Sequence, residues 1–162
     1  MSKDLNKALQ EVEMTYSQIK QIAEDMLAET FFPLNQVVDE IQMNIQNLSI
    51  DSLRHYMLQL QLNTFQLSEL RDKSAVKAQC AEAIKKEAYA TSFLSQEGTA
   101  GQKDSNATIA ISENIVVECL YELVANLVKT KVDQSLRLID TLKSILMSRM
   151  AEAKISNALN AE

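Results

Sequence analysis

The sequence predicts an all-α fold: an elongated, coiled-coil-like antiparallel hairpin of two long helices, with two additional helices at the N-terminus. Three observations lead there. The chain has 162 residues but only two glycines and one proline, so few turns interrupt it. No Asn-Gly, Asp-Gly or Pro-Gly pair occurs, which removes the commonest hairpin signals of a β-protein. With no tryptophan and 5 % aromatic residues, the interior falls to Leu, Ile, Val, Met and Ala, the usual filling of helix bundles.

The first helix is drawn by Leu5, Leu9, Val12, Tyr16, Ile19, Ala23 and Met26. Their alternating spacing of four and three is a heptad seam, and such a seam needs a partner helix. Phe31-Phe32-Pro33 is expected to end this helix, because the residue before a proline is pushed out of helical geometry. Pro33 then suits the first turn of a second helix, whose apolar face runs through Leu34, Val37, Val38, Ile41, Ile45 and Leu48. Ser49 or Asp51 is the natural N-cap of the third helix. That helix is expected from Ile50 to Leu94, with Leu53, Met57, Leu60, Leu67 and Leu70 as its early stripe and an alanine-rich second half.

Both glycines lie in the polar stretch 95–107, which reads as the tip of the hairpin. A last helix follows from about Thr108 to Leu159. Its pattern weakens at Lys129–Ser135, where a kink or a change of buried face is expected. Helices three and four would each reach roughly 65–75 Å, so oligomerisation is expected to cover part of the apolar stripe. The domain division on this reading is 1–48 for the N-terminal helices and 49–162 for the hairpin.

The net charge of −6 is unevenly spread. Residues 1–50 hold three Lys against eight Asp and Glu, whereas 71–86 and 129–154 are each locally basic. The acidic balance disfavours a general nucleic-acid binder. Cys80 and Cys119 are too few for a disulfide framework or a zinc site and read as small buried hydrophobes. The start of the chain is amphipathic and not apolar, and no stretch approaches the roughly 20 residues that span a bilayer. No membrane association is expected, and the expected location is the cytoplasm, that of the host cell if the chain is phage-encoded.

The candidate catalytic side chains lack the partner residues that their chemistry needs. His55 is the only histidine, so the Glu-x-x-His pairs of di-iron bundles are absent. Glu82, Glu87, Glu113, Glu118 and Glu122 read as a solvated face. No Gly-rich phosphate loop or Cys–His nucleophile pair is present. The methionines at 14, 26, 43, 57, 147 and 150 read as core filling. A non-enzymatic protein without cofactor or metal is the expectation.

The basic stretch remains. Arg71, Lys73, Lys77, Lys85 and Lys86 are the candidate nucleic-acid-binding residues. Arg71, Ser74, Ala78, Ala81 and Lys85 recur at helical spacing and could track a phosphate backbone. Tyr89 and Phe93 follow, and aromatics beside cations serve single-strand binders for base stacking. The competing reading is an ordinary solvated helix side.

The segment from Leu70 to Asp104, with Val76-Lys77-Ala78-Gln79 on a helix and then a Gly-containing loop, resembles phage recombination mediators of the UvsY type. Leu138-Ile139-Asp140-Thr141-Leu142-Lys143-Ser144 is similar as well. The resemblance implies a small helical oligomer that loads a recombinase onto single-stranded DNA. The family's Leu-Lys-Ala-Arg strand-binding motif has Val76 and Gln79 at its ends here, leaving Lys77 as the carried-over cation. Two further readings are a phage-encoded regulator that docks its acidic N-terminal coil onto a host or defence protein, and a self-associating spacer.

Overall fold

The computed structural model describes residues 3–159. It is all-α: α1 (Lys3–Asn44), α2 (Ile50–Ser95), α3 (Ala100–Ala110) and α4 (Ser112–Leu159), with no strand among the described residues. One N-terminal helix stands where two were expected. The predicted break at Phe31-Phe32-Pro33 does not occur, and Pro33 lies inside α1. Its ring is exposed, and the missing N–H costs the helix one bond, to the Glu29 carbonyl. Interior proline costs about 3 kcal/mol. Burial of Leu34, Val37 and Ile41 in the next two turns offsets this, at about 1.5–3 kcal/mol each.

Contacts divide the chain into two compact units, Met1–Ala28 with Arg71–Leu127 and Glu29–Leu70 with Val128–Glu162. Each draws on α1 as well as on α2 and α4.

In the second unit three helical stripes share the alternating four-three spacing. Leu34, Val38, Ile41, Ile45 and Leu48 come from α1 and the turn that follows it. Leu53, Met57, Leu60, Thr64 and Leu67 come from α2, and Val128, Val132, Ser135, Ile139 and Leu142 from α4. Heptad spacing keeps each seam facing its neighbours. Thr64 and Ser135 are tolerated because each hydroxyl donates to the carbonyl one turn back, Leu60 at 2.6 Å and Lys131 at 2.7 Å. Ser135 also explains the weak pattern around 129–135. The seam passes through it, and α4 continues as one helix across this segment. Lys131 sits over the Phe31 ring at 5.8 Å, and Arg149 donates to the Gln46 carbonyl at 2.9 Å. These two contacts make α4 run parallel to α1. Ser49 caps α2, its hydroxyl accepting from the Ser52 N–H at 3.0 Å.

In the first unit, Ala23 and Leu27 are buried on α1. The predicted seam position Met26 is exposed, as are Leu9, Val12 and Tyr16, while Leu5 lies outside the residues whose side chains are described. The expected tip, 95–107, shrinks to four residues. Gly98 takes a φ of +117°, and Thr99 then caps α3 in a reciprocal capping box with Gln102. Gly101 is helical. The break before the last helix falls at Ile111, whose side chain is buried.

Candidate nucleic-acid interface

The stripe expected to face a phosphate backbone faces the protein instead. Ser74 and Ala81 are buried, and Arg71, Ala78 and Lys85 are half-buried. Residues 67, 71, 74, 78, 81, 85 and 88 continue the four-three spacing of the α2 seam, so these small and cationic residues are its packed edge. Small side chains carry little apolar signal, which is why composition reads the stripe as solvated.

The five candidate cations therefore separate. Lys85 donates to both carboxylate oxygens of Glu118 across to α4, at 2.6 Å. Glu118 is buried, which corrects its reading as part of a solvated face. The hydrogen bond to Glu118 holds the Lys85 ammonium above the ordinary lysine range. Lys86 pairs with Glu82 one turn back, and that hydrogen bond lowers the Glu82 carboxyl. Arg71 pairs with its neighbour Asp72 at 3.0 Å. Lys73 and Lys77 are exposed.

Lys77 is the candidate that the structure sets beside other recognition chemistry. Lys77, Cys80 and Ile84 on α2 face Asn114, Val117 and Tyr121 on α4 across a shallow groove of about 230 Å³. Both triplets follow helical spacing, at offsets of zero, three and seven. The groove combines a cation, an amide and an aromatic ring around an apolar floor. Asn114 and Tyr121 were missed by the sequence reading; the matching offsets on two antiparallel helices were the available signal. Tyr89 and Phe93 do stack, with ring centroids 6.1 Å apart. The Tyr89 hydroxyl, however, donates to the Asp104 carboxylate of α3, a bond that raises its pKa, so this pair secures the α2–α3 connection.

Both cysteines are exposed, against the expectation of burial. Met14, Met26, Met43 and Met147 are exposed too, and only Met57 of the six packs against the buried cluster. His55 is exposed beside Tyr56. Among the described residues no group of three or more His, Cys, Asp or Glu is placed to hold a metal ion, and no helix is long and apolar enough to cross a membrane. Comparison with protein-family models, with curated proteins and with solved structures gives no match.

Proposed function

We propose that this chain is a non-enzymatic, oligomeric helical adaptor of a phage or mobile-element recombination or replication module, holding single-stranded DNA and assisting recombinase loading. The observation that carries this reading is a groove lined at once by exposed Lys77, by Tyr121 and, towards its other end, by Asn114. A lysine can take a backbone phosphate, a ring can stack on a base without regard to sequence, and an amide can meet a base edge. The resemblance of Leu70–Asp104 to the recombination mediators supplies the module.

Self-association is supported by a second feature. Residues 56–68 contain no charged side chain, although Leu58, Leu62 and Phe65 are exposed at four-three spacing on α2. Interface cores are depleted in charge, and a neutral apolar stripe can pack on a copy of itself.

The test is binding of a fluorescein-labelled oligothymidine, followed by anisotropy. The chain is expected to bind it, with Lys77→Glu and Tyr121→Ala each weakening the complex. The loss for the tyrosine should be about 1–3 kcal/mol, the worth of one stacked base. No binding, or binding indifferent to both substitutions, would count against the reading.

A further inference from the structure

Apart from the DNA reading, we infer that the first unit carries a docking groove for a cationic amphipathic helix, lying between the N-terminal half of α1 and the first half of α4. The groove has a volume of about 660 Å³. That is within the size range of ligand pockets, ~300–1,000 Å³, and too large for one inserted side chain. Its α1 wall is the heptad seam itself, Val12, Tyr16 and Ile19, and its α4 wall carries Leu123 and Cys119. Ala23 of the seam is buried, as is neighbouring Leu27, but Leu9, Val12 and Tyr16 remain 48 %, 65 % and 51 % exposed.

A seam of this period presents holes at the spacing of another helix's knobs. An extended peptide or a compact small molecule does not match a three-four rhythm. The occupant that fits is a helix with its own apolar stripe.

Charge decides which helix. Glu11 and Glu122 stand among the groove's lining residues and no cationic side chain does, the Lys7 that pairs with Glu11 at 3.9 Å lying outside it. Residues 1–28 hold three Lys against five Asp and Glu, so a second copy of α1 would bring like charge to an acidic site. The chain's own basic stretches, 71–86 and 129–154, already pack within the two units, where Ser74 and Ala81 of the one and Val132, Ile139 and Leu142 of the other are buried. The occupant is therefore a helix of another protein, with Lys or Arg flanking an apolar heptad stripe.

Two synthetic four-heptad peptides test this. They share a Leu/Ile seam and differ only in Lys or Glu at the flanking positions. Titration calorimetry should show the Lys-flanked peptide binding at least ten-fold more tightly than the Glu-flanked one. Val12→Asp should weaken it at least ten-fold, and Glu11→Lys with Glu122→Lys should reverse the preference. These three positions are exposed, and unchanged circular dichroism would confirm that the variants fold. Equal affinity for both peptides, no binding of either, or indifference to Val12→Asp would overturn the inference. So would self-association without peptide that Val12→Asp abolishes, since the seam would then belong to a second copy.

Discussion

Lys85 Nζ lies 2.6 Å from both carboxylate oxygens of Glu118, joining α2 to α4 through a carboxylate whose side chain is only 9 % exposed. A sheltered charge that loses its counter-ion is costly, whereas replacing both partners by apolar groups can be close to neutral. Lys85→Met should therefore lower Tm more than Lys86→Met, whose partner Glu82 is far more open. Adding Glu118→Leu to Lys85→Met should recover much of the loss. Thermal unfolding of the single and double variants measures this coupling.

The same pair sets a pH dependence. The hydrogen bond to Glu118 raises the folded-state pKa of Lys85 above 10.5, so the folded state holds this proton more tightly than the unfolded chain. Its contribution is fully present below 10.5 and is lost as pH rises through the raised folded value. The gap in urea midpoint between the natural chain and Lys85→Met should be constant near neutral pH and narrow above 10.5. A gap that widened there would contradict the pairing.

Pro33 is an exposed proline inside a helix. Pro33→Ala restores the N–H donor to the Glu29 carbonyl and removes the ring's clash with that turn. Part of the gain is returned through the greater freedom of the unfolded chain. A net stabilisation of about 2 kcal/mol is expected in urea unfolding.

The two glycines should respond in opposite directions to alanine. At Gly98 the backbone has positive φ, and a Cβ would sit 2.7 Å from Gln102 Oε1, a member of the capping box. Gly98→Ala should destabilise by about 1–2 kcal/mol. Gly101 lies in α3 with open space around its Cα, so Gly101→Ala should stabilise by about 0.5–1 kcal/mol.

Much of the fold was readable from the sequence. The scarcity of glycine and proline gave long helices, and α2 begins and ends within a residue of its expected limits. What escaped has particular physical causes. Pro33 stops a helix only when little is buried beyond it, and here Leu34, Val37 and Ile41 are. Gly101 and its polar neighbours join a helix because Thr99 and Gln102 cap it. The edge of α2 through Ser74, Ala78 and Ala81 reads either as a phosphate-facing stripe or as a solvated side, because small residues show no apolar contrast, whereas Ser74 and Ala81 are buried. At the candidate site, the sequence offers Lys77 as one of the five candidate cations on a single helix. Tyr121 and Asn114 lie about forty residues away in sequence, and only the antiparallel packing of α2 and α4 brings them to it.

The proposed contact between Lys77 and a phosphate of single-stranded DNA makes binding depend on salt concentration. The logarithm of affinity for oligothymidine should fall linearly with the logarithm of salt concentration. Lys77→Gln should bind more weakly and flatten that slope by about 0.7, the share of one phosphate contact on a single strand. Identical affinity and slope for the two proteins would contradict the account.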